Sequence, residues 1–204
     1  MKSKFPARML LFGVSIVAII FSAIIIFLPT FHPPVQSYYL KTPPIIVPAS
    51  LPVEEIEVGL PARLKIPKIK VSAVIENVGL TPKGEMGIPK IPRNTAWFDL
   101  GPRPGEVGSA AIAGHLNWYN GAKGVFANLN KLKIGDKILV QDDKGNDISF
   151  VVRKIRTYGF NEDASDVFVS NDDKAHLNLI TCDGVWDKRT KQYSKRLVVF
   201  ADKE

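Results

Sequence analysis

Cysteine is nearly absent from this chain, because only one of its 204 residues, Cys182, is a cysteine. A single cysteine cannot form an intramolecular disulfide, which excludes a small disulfide-stabilised domain. Histidine is also scarce, with three residues in the whole sequence. No internal repeat and no low-complexity segment stands out. Cysteine or histidine chemistry therefore has very few candidate residues in this protein.

Negative charge is in the minority, since 27 lysines and arginines stand against 20 aspartates and glutamates, for a net charge of +7. An excess of this size suits an anionic wall polymer or lipid headgroups as well as it suits nucleic acid. The aromatic and basic signature of a nucleic-acid-binding module is missing, so nucleic acid is not an expected partner. Five basic residues fall in 188–196 (KRTKQYSKR), where the alternative to a functional role is a solvated loop.

Charged residues are missing from residues 9–28, a run of twenty mostly apolar residues (MLLFGVSIVAIIFSAIIIFL). At about 1.5 Å per residue, a helix of that length spans a hydrocarbon core of about 30 Å. A cleaved signal peptide is the alternative, but its apolar region usually has only about 7–15 residues. Three basic residues precede the run and the next is Lys41, so residues 1–8 are expected in the cytoplasm. The sequence predicts a single-pass protein of the cell membrane, with everything after Leu28 outside the cytoplasm.

Proline is frequent between residues 29 and 62, and this composition favours an extended, semi-rigid spacer. We therefore expect a stalk at residues 29–59. β-Branched and alternating residues begin after it, in the stretch 63–80, so we expect a folded domain at residues 60–204.

Strand-like segments, which are apolar or alternating and bounded by glycine, aspartate or asparagine, recur through this domain. Besides the stretch that opens the domain, they lie at 108–114, 136–141, 147–158, 176–182 and 196–201. One short helix is expected near 124–132, where Val125, Leu129 and Leu132 have helical spacing. Several short strands with turn signals between them predict a mainly β fold, either a closed barrel or a sandwich.

The single cysteine closes a strand-like run in the stretch 177–184 (LNLITCDG). Asp183 and Gly184 follow it as a turn signal, so the thiol is expected at a strand end. An unpaired thiol outside the cytoplasm is a candidate nucleophile. The alternative is a buried cysteine that acts as a small hydrophobic residue.

A cysteine nucleophile needs a partner that takes and returns protons, and histidine suits this role near neutral pH. His115 is the candidate, because it directly follows the strand-like run 108–114. His32 lies in the predicted stalk. His176 begins the strand of the cysteine and, at strand rise, lies about 20 Å from it.

Acyl transfer also needs a positive group or backbone donors where negative charge develops on the oxygen. Arg196 begins the strand-like run after the cysteine, and antiparallel pairing of the two strands would bring the guanidinium and the thiol together. Arg189 and Lys195 are rival cations, and a plain surface arginine is the alternative interpretation.

Three motifs in this order resemble those of the sortase family: A-G-H at residues 113–115, L-I-T-C at 179–182 and K-R-L-V-V-F-A at 195–201. The resemblance extends over residues 60–204 and implies a closed eight-stranded β-barrel with short helices, preceded here by the transmembrane helix. An Asp-Pro-Trp or Asp-Pro-Phe lid motif is missing before the barrel. The chain therefore looks more like classes D, E and F than like the pilin-polymerising class.

The same resemblance implies the role of each catalytic residue. Cys182 would be the nucleophile, His115 the general acid and base, and Arg196 the group that stabilises the oxyanion or the substrate backbone. Weaker candidates for substrate binding are Thr181, Trp186 and Asn117. Aromatic residues that either line a substrate groove or pack the barrel rim are Trp118, Tyr119 and Trp186. We expect no metal and no cofactor.

The implied reaction is a two-step acyl transfer. The thiolate attacks the Thr–Gly carbonyl of a C-terminal LPxTG-like sorting motif in a secreted protein, and a thioacyl-enzyme forms. An amine from a wall precursor peptide or from another protein then takes the acyl group. The implied partners are secreted substrates, an amine acceptor, and the membrane through the N-terminal helix.

Two alternatives differ in what they require of the thiol. A cysteine L,D-transpeptidase or wall amidase also pairs cysteine with histidine, but the Ser-x-Gly-Cys run of such enzymes is absent. A non-enzymatic alternative is a tethered β-domain that binds wall polymer or a partner protein. That domain would keep Cys182 as an unreactive packing residue.

Overall fold

Eight strands build the part of the chain that the computed structural model describes, residues 57–118 and 120–204. They are β1 (Pro61–Ile66), β2 (Val71–Val78), β3 (Thr95–Phe98), β4 (Gly108–Gly114), β5 (Lys137–Asp142), β6 (Asp147–Gly159), β7 (Ala175–Asp187) and β8 (Gln192–Lys203). In the order β1-β2-β3-β4-β7-β8-β6-β5 they close into a barrel. The predicted mainly β, closed eight-stranded fold is thereby confirmed.

The direction of the strands decides where the site lies. β2 pairs with β3 and β4 with β7 in parallel, whereas the other neighbours are antiparallel. Because β4 and β7 run in the same direction, their carboxyl ends reach the same edge of the barrel. β8 flanks β7 on its other side and runs back towards the opposite edge.

Apolar side chains at alternate strand positions fill the interior of the barrel. In β5, Ile138 and Val140 are buried while the residues between and before them are more exposed. β4 consists of small residues and isoleucine and is buried along nearly its whole length. Other core residues are Leu64, Ile66, Ile112, Phe150, Leu177, Leu179 and Val199. Burial of each large apolar side chain stabilises the fold by about 1.5–3 kcal/mol.

The helix predicted near 124–132 is wrong, because within this segment the structure has only the 3₁₀ turn Leu129–Lys131. The backbone amides of Val125 and Phe126 donate to carbonyl groups of neighbouring loops, each at 2.9 Å. Further along the segment, the amides of Ala127, Leu129 and Leu132 each donate to the carbonyl three residues before, so the segment forms tight turns in place of an α-helix. The spacing of Leu129 and Leu132 that suggested a helix arises because both side chains pack in the core of the barrel.

β7 extends further than predicted. It continues past Cys182 to Asp187 and forms a hairpin with β8, so the thiol lies within a strand and not at its end. The Asp-Gly pair is accommodated by an irregularity, because the register shifts between Asp183 and Trp186 and Gly184 has a φ of 80°. The presumed turn is therefore a β-bulge, and the presumed loop is a long hairpin that projects beyond the thiol.

The sequence pattern also does not predict β3, a strand of four residues (TAWF). Four residues are too few to show a clear alternation. The strand nevertheless completes the barrel, because it lies between β2 and β4.

The predicted cytoplasmic N-terminus (1–8), the predicted membrane anchor (9–28) and most of the predicted stalk (29–59) lie outside the described residues. Within residues 57–118 and 120–204, no helix is both long enough and apolar enough to cross a membrane.

Candidate active site

The predicted nucleophile and the predicted cation face each other across β7 and β8. Cys182 and Arg196 are direct partners in the antiparallel register. Such partners have Cβ atoms about 5 Å apart on the same face of the sheet. Of the two rival cations, Lys195 pairs with Asp183 one step along, so its side chain points to the opposite face. Arg189 lies in the turn of the hairpin.

His115 and Cys182 lie on the same side of the barrel because β4 and β7 are parallel neighbours, and their pairing ends two residues before each of them. The buried hydroxyl of Thr181 donates to the carbonyl of Gly114 at 2.8 Å and joins the two strand ends. The next residue on each strand is His115 on one side and Cys182 on the other. Both side chains line the same cavity of about 660 Å³.

The ring of His115 is held by a hydrogen bond and by an aromatic contact. Its Nε2 lies 2.8 Å from the carbonyl oxygen of Pro89. A carbonyl oxygen only accepts, so Nε2 is the donor and Nδ1 is the nitrogen left to exchange a proton. Trp118 packs edge-on against the ring, with the two centroids 4.9 Å apart. Together these contacts fix both the tautomer and the orientation of the ring.

Two glycines allow the chain to approach His115 closely. A Cβ atom at Gly114 would fall against the ring of Phe126, and one at Gly124 would fall on the backbone carbonyl of His115. The amide of Gly124 also donates to the carbonyl of Leu116 at 3.0 Å, so the loop folds back directly over the histidine. A larger residue at either position would move the histidine or the segment that packs on it.

Two features of the surroundings of Cys182 shift the pKa of its thiol in opposite directions. Burial raises the pKa of the thiol above its ordinary value, and the positive charge of Arg196 partly offsets this shift. The thiol is therefore mostly protonated near neutral pH. Formation of the nucleophile then depends on a nearby base, and His115 is a base on the same cavity.

The raised pKa gives a testable pH dependence. The rate at which iodoacetamide alkylates Cys182 should rise with pH through the alkaline range, because the thiolate is the reactive form. In Arg196→Gln the profile should move to higher pH, because the charge that lowers the pKa of the thiol is gone. At pH 8 this variant should therefore react more slowly than the wild type. Arg189→Gln is the matched control, and an Arg196→Gln profile that coincides with it would contradict the assignment.

Arg196 is oriented by its own strand and by an aromatic ring. Its guanidinium donates to the backbone carbonyls of Tyr193 and Lys195, at 3.0 and 2.9 Å. The same group lies over the ring of Phe160, 5.1 Å from the centroid, in a cation–π contact. The guanidinium thus has a fixed position at the edge of a second cavity.

Cys182 and Arg196, which are cross-strand partners, line two different cavities, and Ile88 lines both of them. The aromatic cavity, of about 660 Å³, is lined by Trp118, Trp186 and Tyr193 together with His115 and Cys182. The apolar cavity, of about 410 Å³, has Arg196 at its edge. Its apolar wall is formed by Ala113, Phe160, Val167, Phe168, Ile180 and Val198. The predicted catalytic groups are divided between the cavities, because His115 and Cys182 line the aromatic cavity and Arg196 lines the apolar cavity.

The family model of the Sortase domain matches residues 64–204. The chain belongs to the sortase family. Sortase A from Corynebacterium diphtheriae, as a lid mutant, has a TM-score of 0.56 and 21% identity, over 74% of this chain and 73% of that chain. The Clostridium perfringens Sortase D5 transpeptidase has a TM-score of 0.53 and 26% identity, over 71% of this chain and 78% of that chain. For sortase C-1 from Actinomyces oris the values are 0.56 and 22%, over 70% and 72%. No match was found among the curated proteins.

Family membership makes this protein a cysteine transpeptidase, an enzyme that in general acts on proteins with a sorting motif and on amine acceptors. It favours the catalytic interpretation of Cys182 over the tethered binding domain. In this sortase the matched region includes all three predicted catalytic residues, Cys182, His115 and Arg196.

The apolar cavity of the sortase is closed on one side by the segment 160–174, which connects β6 and β7. Two buried side chains of the barrel hold it. The hydroxyl of Tyr158 donates to the carboxylate of Asp166 at 2.7 Å, and burial, together with that carboxylate, raises the pKa of the tyrosine to about 12. The amide of Asn178 donates to the carbonyl of Val167 at 2.7 Å. The side-chain oxygen of Asn178 has no hydrogen-bond partner, so Asn178 binds the segment through its NH₂ group alone.

His176 has a structural position, in agreement with its exclusion as the partner of Cys182. It is 3% exposed, and its ring nitrogens lie 2.6 Å from Asp202 and 2.8 Å from Asp172. Asp172 belongs to the segment 160–174, so this histidine is a third attachment of that segment to the barrel. The contact with His176 lowers the pKa of Asp172.

The Asn178→Ala variant should be less stable than the wild type by about 1 kcal/mol or more, because the buried carbonyl of Val167 loses its donor. Its KM for a donor peptide should also rise, because Val167 lines the apolar cavity. Urea unfolding and steady-state kinetics measure the two effects. Asn171→Ala, the same change at an exposed position of the segment 160–174 that lines neither cavity, is the control and should alter neither quantity. Wild-type values of both quantities in Asn178→Ala would show that this bond does not hold the segment.

The three weaker candidates for substrate binding have different positions. Trp186 and Asn117 line the aromatic cavity, whereas Thr181 is 3% exposed and lines neither cavity. Sequence reasoning missed Tyr193, whose hydroxyl accepts a hydrogen bond from the Asn117 amide at 2.7 Å. The ring of Tyr193 also packs edge-on against Trp186 at 5.1 Å. The only sequence signal for Tyr193 was its position in the basic stretch 188–196, which was taken as a loop. Tyr119, another predicted aromatic residue of the groove or rim, lies outside the described residues.

Carboxylates of the sortase pair with basic side chains and with backbone amides. The described residues contain no group of three or more histidine, cysteine, aspartate or glutamate side chains that could hold a metal ion.

Proposed function

We propose that this sortase is a membrane-anchored transpeptidase that cleaves a C-terminal LPxTG-like sorting motif between threonine and glycine. It then transfers the protein to a cell-wall or protein amine. The observation that carries the proposal is the direct pairing of Cys182 with Arg196 across β7 and β8, with His115 on the same cavity as the thiol. This arrangement joins a nucleophile, a base and a fixed positive group in one place.

The donor peptide is placed in the apolar cavity. The carbonyl to be attacked must lie between the Cys182 sulfur and the Arg196 guanidinium, at the boundary of the two cavities. The residues before that carbonyl then extend along the side that Arg196 lines. A leucine and a proline of the motif suit the apolar wall there, which Val167, Ile180 and Val198 help to form.

The first step forms a thioester. His115 takes the thiol proton through Nδ1 while the Cys182 sulfur attacks the threonine carbonyl carbon, and Arg196 stabilises the negative charge that develops on the oxygen. His115 gives a proton through Nδ1 to the leaving glycine amine, and the C–N bond breaks. An acceptor amine then attacks the thioester, His115 takes its proton, and the Cys182 thiolate leaves.

The membrane topology is part of the proposal. The uncharged run 9–28 supports a membrane anchor, and the basic residues before it support a cytoplasmic segment 1–8. The proline-rich residues 29–59 support a stalk, with the catalytic domain at 60–204 outside the cytoplasm. Exported substrates would meet the enzyme at the membrane surface. The 26% identity with Sortase D5 supports a class D-like enzyme.

The test is product analysis with a pool of Leu-Pro-x-Thr-Gly-like peptides and hydroxylamine as acceptor. The full-length protein should release peptides that end in a threonine hydroxamate, and Cys182→Ala should release none. The preferred motif is read from the products. Cleavage at another bond, or equal cleavage by Cys182→Ala, would refute the proposed reaction.

A further inference from the structure

The hydrogen bond that fixes the ring of His115 comes from outside its own strand. The acceptor is the carbonyl oxygen of Pro89, 2.8 Å from Nε2. Pro89 belongs to residues 79–94, an irregular connection between β2 and β3. It is buried, whereas its neighbours Ile88 and Lys90 are exposed. A carbonyl group in such a connection keeps its direction only if a further contact holds its peptide group.

Glu76, on β2, holds that peptide group by its other end. Its carboxylate accepts a hydrogen bond from the backbone amide of Lys90 at 2.9 Å. This amide and the carbonyl of Pro89 belong to one planar trans peptide group, in which they point in opposite directions. A carboxylate on the amide side therefore aims the carbonyl at His115. A single connection runs from the carboxylate of Glu76, through the peptide group 89–90, to Nε2 of the histidine.

Two further contacts fix the carboxylate of Glu76. The backbone amide of Ile91 donates to it at 3.4 Å, and the side-chain amide of Asn94 at 2.9 Å. Burial acts to raise the pKa of Glu76, but the hydrogen bonds from Lys90, Asn94 and Ile91 outweigh burial and lower it. Glu76 is therefore negatively charged near neutral pH.

The connection favours the form of His115 that the reaction needs. When Nδ1 takes the thiol proton, the ring becomes positively charged, and its Nε2–H donates to a carbonyl whose peptide group is polarised by a carboxylate. Such polarisation strengthens the bond, and the negative charge behind it favours the imidazolium. The proton on Nε2 stays on His115, and Glu76 takes up no proton.

We propose that Glu76 is a positioning residue for His115 and acts through the peptide group 89–90. This inference rests on the proposed function, in which His115 exchanges protons through Nδ1, and deepens it. Glu76 lines neither cavity, so its effect should fall on kcat and not on the binding of the donor. A carboxylate that only fastened residues 79–94 would leave the tautomer of His115 unchanged and would act in the same way without this histidine.

The first experiment compares the full-length wild type with Glu76→Gln, each labelled with ¹⁵N-histidine. The chemical shifts of the ring nitrogens show which nitrogen carries the hydrogen, and the spectrum of His115→Gln identifies the His115 signals among those of three histidines. The neutral ring of the wild type should carry its hydrogen on Nε2. In Glu76→Gln the Nδ1–H form should increase, because glutamine is uncharged and has one acceptor oxygen for three donors.

Two further variants serve as controls for the spectra. Asn77→Ala changes the next, exposed position of β2, which lines neither cavity, and it should keep the wild-type signals. Asn94→Ala removes a 2.9 Å hydrogen bond from Glu76 but leaves the amide of Lys90 bound. Its signals should therefore stay closer to those of the wild type than the signals of Glu76→Gln do.

The second experiment measures donor cleavage. In Glu76→Gln, kcat should be about tenfold to a hundredfold lower, with KM close to the wild-type value. In a His115→Gln background the same change should lower kcat by less than about twofold, because the residue through which Glu76 acts is absent. Val125 still donates to the carbonyl of Pro92 at 2.9 Å, so residues 79–94 keep an attachment, and the unfolding midpoint checks the fold.

The outcomes separate this inference from the proposed function. Absence of Thr–Gly cleavage by the wild type would refute the proposed function, whereas the nitrogen signals need no substrate and would still test Glu76. Hydrogen on Nδ1 in the neutral ring of the wild type, or wild-type signals in Glu76→Gln, would overturn the role of Glu76. An equal loss of kcat with and without His115 would also overturn it, because Glu76 would then act on the structure alone. Asn94→Ala signals shifted as far as those of Glu76→Gln would show that the contact with Lys90 is not decisive.

Discussion

Replacement of Cys182 by alanine should abolish peptide cleavage and transfer, with kcat lower by at least about a thousandfold. The reason is that the acyl group passes through a covalent bond to this sulfur, and no other cysteine is present in the chain. Donor peptide cleavage, followed by chromatography and mass spectrometry, measures the loss. The variant is informative because alanine is smaller than cysteine and Cys182 is only partly buried, so the barrel should keep its fold.

Two controls belong with the Cys182 variant. Its circular dichroism spectrum and unfolding midpoint should stay close to those of the wild type, which shows that lost activity is not lost structure. Val185→Ala, an exposed change in the same strand, should keep wild-type turnover. Residual cleavage by Cys182→Ala above about one tenth of the wild-type rate would show that another group attacks the substrate.

The His115→Gln variant should lose about 10²–10⁴-fold in kcat with amide substrates, the range typical of a general acid–base group. Glutamine can still donate a hydrogen bond towards the Pro89 carbonyl, as the Nε2 of the histidine does, but it cannot transfer a proton. Steady-state kinetics of donor cleavage measure the effect. The loss should fall mainly on kcat, because His115 does not line the apolar cavity in which the donor is placed.

A change of leaving group distinguishes the role of His115 in the first step from a general loss of structure. A depsipeptide donor, with an ester in place of the scissile amide, releases an alcohol that needs less protonation than an amine. The defect of His115→Gln should therefore be clearly smaller with the ester than with the amide. Equal defects with both substrates would contradict the assignment of this histidine as the acid.

The candidate catalytic residues were accessible to sequence reasoning because each is tied to a local pattern. The run GSAAIAG predicts a strand at 108–114, and β4 has those bounds, which puts His115 directly after its end. The sequence brings Cys182 and Arg196 together only if their two strands pair antiparallel, and the structure has this pairing. The short strands with turn signals predicted either a barrel or a sandwich, and the closed eight-stranded barrel was implied by the family resemblance.

The hairpin beyond the thiol was missed for a local reason. Asp183 and Gly184 have the composition of a turn, but the positive φ of Gly184 is used here for a bulge inside β7. The same residue pair permits both structures, so sequence alone does not separate them. As a result Tyr193, which helps to line the aromatic cavity, was assigned to a loop.

The wall of the apolar cavity was missed because tertiary contacts specify it. Tyr158 and Asn178 lie on different strands, and each is joined to the segment 160–174 by one hydrogen bond to a residue eight or eleven positions away. Both bonds depend on the positions that β6 and β7 take in the barrel. A polar residue in an apolar strand, as Asn178 is in β7, is the one sequence signal that such an attachment leaves.

The measurement that tests the central claim most directly is the intact mass of the full-length protein mixed with a donor peptide and quenched in acid. The account predicts a mass increase equal to the acyl part of the donor up to threonine, located by proteolysis on the peptide that contains Cys182. Hydroxylamine should remove this increase and release an equal amount of hydroxamate. Efficient cleavage of the donor without an adduct on Cys182, or with an adduct on another residue, would contradict the account.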